Sequence, residues 1–162
     1  MTTIVVDQKM GYMAGDKMVT SNDGEMAMSC PTKIEEVTIG GDQYLLGISG
    51  HEGPGYLFLD WFENGDWDEP LAAMENLEED HDFSVLILSK HEGLQLVDRF
   101  MRPYPIHERW YAIGSGGVIA WSILEAGCGI QKAMETATRL DPSSGLGFDV
   151  VFLDGTHEEY PQ

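Results

Sequence analysis

Thr2 follows Met1 at the head of the chain, and an N-terminal threonine can act as a nucleophile that carries its own base. A threonine hydroxyl alone is a poor nucleophile. The α-amine of an N-terminal residue has a pKa of about 7.7–8.0, so near neutral pH part of it is free to accept the hydroxyl proton. Methionine before a small residue is normally removed, which would expose Thr2 without a propeptide. Thr2 is therefore either a catalytic N-terminus or an ordinary first residue of a strand.

A glycine-rich turn, Gly114-Ser115-Gly116-Gly117, is a second place where chemistry could occur. It lies between a predicted strand and a predicted helix, where backbone N–H groups point outward. Its glycines allow another part of the chain to approach closely. Ser115 is also a candidate N-cap for the helix, and the two roles are compatible.

Other reactive side chains do not predict a metal or cofactor site. The tripeptide His-Glu-Gly occurs at 51–53 and 91–93, but neither copy has the spacing that places two histidines on one helical face. A dinucleotide-binding glycine fingerprint and a P-loop are both missing from the sequence. Cys30 and Cys128 have no CxxC partner, and without a secretory signal we expect both to be reduced and buried. We expect no cofactor and no metal.

The hydrophobic pattern predicts strands and helices in alternating blocks. Asn64-Gly65 is expected to end the first helix, and Asp68-Glu69-Pro70 to begin the second. Ile119, Ile123 and Ala126 are expected to form the buried face of the third helix. The predicted strands are 2–7, 11–20, 32–39, 44–50, 83–90, 93–101, 110–113 and 148–154, with a Gly-Gly hairpin at 40–41, and the predicted helices are 53–65, 68–80, 117–126 and 130–140. This order favours an α+β sandwich with helices outside two sheets.

Composition limits the function further. The chain has 162 residues and a formal net charge of -19, which suits one domain and disfavours nucleic acid or an anionic membrane as a partner. No apolar run is long enough to span a bilayer, and no signal peptide is recognisable, so we expect a cytoplasmic protein. We expect a single domain over 1–162 with an acidic C-terminal tail from about residue 155.

Six short motifs occur in an order that resembles the β-type subunits of proteasomes, including the bacterial HslV-type peptidase. They are TTIVV at 2–6, AGD at 14–16, KI at 33–34, GISG at 47–50, IGSGG at 113–117 and DPSSGLGFDVV at 141–151. The resemblance implies the N-terminal nucleophile hydrolase fold, a four-layer αββα sandwich with antiparallel sheets. The segment between GISG and IGSGG is shorter than is usual in this family, and we expect Gly53-Pro54-Gly55 to break the start of its first helix.

The same resemblance implies roles for individual residues. Thr2 would be the nucleophile, with its freed amine as the proton acceptor. Lys33 would lie beside them as an ammonium that favours the neutral amine, and Asp16 would orient Lys33. Ser115 would hydrogen-bond the amine of Thr2.

Four further positions match the family pattern. Asp141 and Ser144 would buttress the nucleophile. The N–H of Gly50 would serve the oxyanion hole, and Ile48 would help form an apolar substrate pocket.

The resemblance implies a threonine-type endopeptidase subunit of a self-compartmentalising, homo-oligomeric ring that acts on polypeptides. An ATP-dependent unfoldase is a further partner that it suggests. Two alternatives stay open: a catalytically silent assembly or binding protein of the same fold, and an amidohydrolase of small substrates. If Met1 is retained, Thr2 has no free amine and the chain is inactive by this mechanism.

Overall fold

The computed structural model describes residues 2–20, 27–65 and 83–161. Nearly all of the described strands belong to two five-stranded antiparallel sheets, and β3 and β4 form a separate ribbon. The strands are β1 (Ile4–Asp7), β2 (Tyr12–Asp16), β3 (Met18–Thr20), β4 (Ala27–Ser29), β5 (Ile34–Ile39), β6 (Asp42–Gly50), β7 (Phe83–Ser89), β8 (Gly93–Asp98), β9 (Pro103–Ile106), β10 (Trp110–Ile113), β11 (Phe148–Phe152) and β12 (His157–Tyr160). The helices are α1 (Glu52–Asn64), α2 (Gly117–Glu125) and α3 (Ile130–Leu140).

Alternation of side chains along the strands builds four layers. The first sheet has the order β10-β1-β2-β11-β12, and the second has the order β5-β6-β7-β8-β9. Ile4 and Val6 of β1 face the second sheet and pack with Leu45 and Leu86, whereas Val5 faces α2 and α3. On the far side of the second sheet, Phe58 of α1 packs in a third cluster. The predicted αββα sandwich of antiparallel sheets is therefore observed.

Two predictions that rest on glycines, a hairpin loop and a helix end, are confirmed. Gly40 and Gly41 form the two-residue loop between β5 and β6, with φ of 60° and 93°, values that favour glycine. Gly65 ends α1 in the left-handed conformation, and its N–H donates to the carbonyl oxygen of Trp61. The helix predicted over 68–80 lies outside the described residues.

The strand predicted over 93–101 is shorter than expected. β8 ends at Asp98, whose side-chain Oδ1 accepts the Phe100 N–H at 2.9 Å and whose carbonyl accepts the Met101 N–H. The chain therefore turns and returns as β9, a strand that was not predicted from the sequence. The prolines of β9 are tolerated because it is an edge strand of its sheet.

Two burial predictions were wrong. Ala126 is exposed because α2 ends at Glu125, and the buried residues of α2 are Gly117, Ala120 and Leu124, with Ile119 and Ile123 packed beside them. Cys128 lies in the exposed turn that follows α2, and Cys30 is only half-buried. Both thiols are free.

The acidic C-terminal segment contains a strand. β12 pairs with β11, and His157 of β12 contacts Glu36 of β5 at 2.6 Å, which links the edges of the two sheets. Lys17 bridges Asp149 and Glu159. Among the described residues, no helix is both long and apolar enough to cross a membrane.

The side chain of Asp7 links β1 to β10. β1 follows Thr2 in the chain, and β10 leads into the turn that contains Ser115. The Asp7 side chain is 1% exposed and accepts hydrogen bonds from Arg109, from the Trp110 indole at 2.9 Å, and from the backbone N–H groups of Lys9 and Met10. Burial raises the pKa of Asp7, but the hydrogen bonds from Arg109, Met10 and Trp110 outweigh it and hold the pKa below its usual value.

We expect Asp7→Asn to lower the free energy of unfolding by about 2 kcal/mol at pH 7, because the exposed Arg109 guanidinium and the half-buried Trp110 indole lose their charged acceptor. A lowered folded-state pKa means that this stabilisation is complete above the unfolded pKa of about 3.9 and is lost as the pH falls through the folded value. Urea denaturation at a series of pH values measures both effects.

The exposed Glu92→Gln variant is the control, and it should change the free energy of unfolding by less than about 0.5 kcal/mol. A wild-type advantage over Asp7→Asn that stays constant down to pH 2 would contradict the assignment.

Candidate functional site

Lys33 brings an ammonium directly to the hydroxyl of Thr2. Its Nζ donates to Thr2 Oγ1 at 3.1 Å, to Asp16 Oδ1 at 2.9 Å, and to the carbonyl oxygen of Met18. Thr2 is 6% exposed, and the Lys33 side chain is 8% exposed. A buried ammonium held by a carboxylate and a carbonyl keeps a fixed position, so the Thr2 oxygen lies in a permanent positive field.

Asp16 is the anchor of this arrangement. Its Oδ1 accepts the Thr3 N–H at 2.8 Å as well as Lys33, and its Oδ2 accepts the N–H groups of Met18 and Gly145, each at 3.1 Å. The residue is fully buried at the end of β2. Because both oxygens are bonded, the carboxylate cannot rotate, and Lys33 is held in one place.

Ser115, Asp141 and Ser144 form a second hydrogen-bonded group. Asp141 Oδ2 accepts the hydroxyls of Ser115 and Ser144, each at 2.6 Å, and Oδ1 accepts the Ser143 N–H at 3.2 Å. Burial raises the pKa of Asp141, but the hydrogen bonds from the two hydroxyls and the Ser143 N–H leave it below its ordinary value. The Ser115 oxygen therefore gives its hydrogen to a carboxylate and keeps its lone pairs for another donor.

Thr3 joins the two groups, although it was not predicted from the sequence as a site residue. Its N–H donates to Asp16, and its Oγ1 lies 2.7 Å from Ser144 Oγ. Since the single hydrogen of Ser144 goes to Asp141, Thr3 must be the donor in the contact with Ser144. Strand alternation was the available signal, because it sends Thr2 and Thr3 to opposite faces and so gives them different partners.

Thr2 and Thr3 approach the turn before α2 so closely that only glycine fits at two of its positions. A Cβ on Gly114 would lie 1.8 Å from the Thr2 carbonyl oxygen, and its φ of 86° also favours glycine. A Cβ on Gly116 would lie 2.0 Å from Thr3 Oγ1. The backbone on either side of Ser115 therefore packs directly on the first two residues of the site.

The structure does not bring Ile48 to this cluster. Ile48 packs on the α1 side of the second sheet, where a Cβ on Gly55 would lie 2.7 Å from its Cγ2. Ser49 faces the opposite side, since a Cβ on Gly114 would lie 3.1 Å from Ser49 Oγ. Gly50 is the last residue of β6, exposed, with a φ of 112°.

The arrangement suits nucleophilic chemistry on a carbonyl. A hydroxyl beside a fixed ammonium can attack, and negative charge that develops nearby is stabilised. In the part of the chain that the structure describes, no group of three or more His, Cys, Asp or Glu residues is placed to hold a metal ion. Both oxygens of Asp16 are already occupied by N–H donors.

Comparison with solved structures establishes the fold. HslV from Trypanosoma brucei has a TM-score of 0.67 at 23% identity, covering 92% of this chain and 97% of that one. Anbu, the ancestral β-subunit, from Yersinia bercovieri has a TM-score of 0.71 at 12% identity over 100% of this chain and 88% of its own. Anbu from Hyphomicrobium sp. strain MC1 has a TM-score of 0.72 at 12% identity over 99% and 88%. No family model and no curated protein matches the chain.

The chain therefore has the fold of these proteasome-type proteins, and the fold class predicted from the sequence is confirmed. At these identities the similarity concerns the fold. The chemistry depends on the residues of this chain.

The contact between Thr3 and Ser144 can be measured with a double-mutant cycle of Thr3→Val and Ser144→Ala. We expect a coupling energy of about 1 kcal/mol, because either substitution alone removes the same buried hydrogen bond. Urea denaturation of the wild type, both single variants and the double variant gives the value.

Thr3→Val combined with Thr136→Val is the matched control, since the Thr136 hydroxyl bonds the carbonyl of Lys132 and shares no partner with Thr3. Additive effects in the Thr3–Ser144 cycle would show that the two hydroxyls are not bonded in solution.

Proposed function

We propose that this protein is a threonine-type peptidase with Thr2 as its N-terminal nucleophile after Met1 is removed. The observation that carries the proposal is the 3.1 Å contact between Lys33 Nζ and Thr2 Oγ1, in a pair where Asp16 holds the ammonium. Lysine side chains are almost never buried without a partner, so a lysine with no functional role is not expected to lie buried against a threonine hydroxyl.

The reaction follows from these groups. The neutral α-amine of Thr2 takes the proton from Oγ1 as the oxygen forms a bond with the substrate carbonyl carbon. The leaving amine takes this proton from the α-ammonium as the C–N bond breaks, which leaves an ester on Thr2 and a neutral α-amine. Water then attacks the ester and gives a proton to the α-amine. As the ester C–O bond breaks, Oγ1 takes that proton back and the acid product leaves.

The surrounding residues have separate proposed roles. Lys33 favours the neutral amine and stabilises charge on oxygen, and Asp16 positions Lys33. Ser115, with its hydrogen given to Asp141, is an acceptor for the N–H of the amine. Ser144 supports Asp141 through its own hydrogen bond.

On the substrate side of the site, the N–H of Gly50 stays the proposed hydrogen-bond donor to the oxyanion, because Gly50 lies at the end of β6. Ser49 replaces Ile48 as the proposed pocket residue, because its side chain lies on the same side of β6 as Gly114.

The partners are also proposals. The similarity to HslV and to the ancestral β-subunit supports a homo-oligomeric assembly that encloses a polypeptide substrate. We propose a cytoplasmic ring, with an ATP-dependent unfoldase as a further partner. A silent assembly protein of the same fold is the outcome if Met1 stays attached, and the intact mass of untagged protein decides this before any assay.

Thr2→Ala should reduce peptide hydrolysis to the uncatalysed background, because the attacking oxygen is gone. Lys33→Ala should reduce kcat by on the order of 10³-fold, because the amine then stays protonated and the oxyanion loses its cation. A fluorogenic peptide assay on protein of verified N-terminal mass measures both.

Lys132→Ala, which changes an exposed lysine of α3, should retain full activity. Hydrolysis by Thr2→Ala at the wild-type rate would rule out the mechanism.

The pH profile tests the proton acceptor. kcat/KM should rise with pH through an apparent pKa below about 7.7, since the free amine is the active form and the Lys33 ammonium disfavours its protonation. Acetylating the α-amine should abolish the activity at every pH. A kcat/KM that falls as the pH rises from about 6 to about 8, where histidines and α-amines titrate, would instead indicate an essential acid.

A further inference from the structure

The turn that follows β8 presents one exposed aromatic ring between two arginines. The Phe100 side chain is 63% exposed, and the Arg99 guanidinium carbon lies 5.4 Å from the centroid of its ring. Arg102, two residues after Phe100, is also exposed. In between, Met101 points the opposite way and is 5% exposed, within the cluster beneath α1.

The conformation of this turn keeps Phe100 outside the protein. Asp98 accepts the N–H of Phe100 through its side chain and the N–H of Met101 through its carbonyl, both at 2.9 Å. Met101 has a φ of 57°, in the left-handed region that a non-glycine residue adopts only where its surroundings hold it. The buried Met101 side chain supplies that hold, so the outward position of Phe100 is built into the fold.

The charge of the turn is opposite to that of the chain. The protein has 28 acidic residues and 9 lysines and arginines, yet two arginines lie within the four residues 99–102. Arginine and aromatic side chains are enriched at protein interfaces and dominate their binding energy. A partner that fits this turn therefore combines an apolar surface with carboxylates.

The exposed face of α1 has this chemistry. Tyr56 is 63% exposed and Leu57 is 43% exposed, while Asp60 and Glu63 lie about one and two helical turns further along and are also exposed. The sequence of α1 contains no lysine or arginine. The chain thus carries both a basic aromatic turn and an acidic apolar helix face.

We propose that the turn 99–102 docks on the exposed face of α1 in a second copy of this chain. Met101 shares a buried cluster with Phe58 and Trp61 of α1, so the turn and the helix adjoin within one protomer. A two-fold axis then pairs each turn with the other copy's helix, and every contact is made twice. This deepens the homo-oligomeric part of the proposed function and does not depend on the peptidase chemistry.

Sedimentation velocity over a range of protein concentrations tests the interface in the full chain. Phe100→Ala and Arg102→Glu should each raise the dissociation constant of the two-fold contact by on the order of 30-fold, and added salt should weaken the wild-type contact. Leu140→Ala and Lys132→Glu change an exposed apolar residue and an exposed cation on α3, and both should assemble as the wild type does.

An exchange of charges between the turn and α1 tests whether α1 is the surface that the turn contacts. Arg102→Glu combined with Asp60→Arg should restore assembly to within a few-fold of the wild type, because the opposite charges meet again across the interface. A monomeric wild type, or assembly unaffected by Phe100→Ala and Arg102→Glu, overturns the proposal, and failure of the exchange overturns α1 as the acceptor. Because assembly is measured without substrate, Thr2→Ala protein serves equally well, and a loss of peptidase activity alone leaves this result unchanged.

Discussion

The buried ion pair between Lys33 and Asp16 is the contact on which the rest of the site depends. Asp16 ends β2 in the first sheet, and Lys33 immediately precedes β5 in the second, so the pair joins the two sheets. Removing two charges from water is costly, and a buried pair persists only where further hydrogen bonds complete its coordination. Here Asp16 receives three backbone N–H groups, and Lys33 donates to a carbonyl and to Thr2. The hydroxyl of Thr2 is therefore part of the set of partners that makes the pair tolerable.

The close approach of the sheets near this pair explains the glycine at position 47 of β6. A Cβ on Gly47 would lie 2.5 Å from Met13 Sδ and 2.7 Å from Ile4 Cγ2. A Cβ on Gly15 would just touch Ile34, at 3.4 Å. The second sheet thus lies directly on β1 at this end of the sandwich, and a larger residue at 47 would force Met13 and Ile4 to move.

Much of this fold follows from local sequence, and the parts that do not follow depend on contacts between layers. The Gly40-Gly41 hairpin and the end of α1 at Gly65 were predicted because one glycine conformation decides each of them. The side of β6 on which Ile48 lies was not, since an apolar residue in a strand buried on both faces carries no signal for its direction. β9 was missed because its two prolines disfavour a strand unless the strand is at an edge, which only the assembled sheet reveals. Asp16, Lys33, Ser115, Asp141 and Ser144 were chosen by resemblance, and no spacing rule would have related residues so far apart in the chain.

The two consecutive threonines differ in their contacts and in their proposed roles, because Thr3 fixes this part of the chain and Thr2 is the proposed nucleophile. Thr3 is fully buried and is held on both sides, by Asp16 through its N–H and by Ser144 through its hydroxyl. Because Thr3 is fixed, the backbone of the adjacent Thr2 has little conformational freedom. The Thr2 hydroxyl is thereby held within reach of Lys33. In the proposed mechanism the oxygen and the amine of Thr2 must both meet the reacting carbonyl, so Thr2 is best positioned through its neighbour and through the one ammonium that the mechanism uses. The hydrogen bonds of Thr3 supply the first of these constraints, and Lys33 supplies the second.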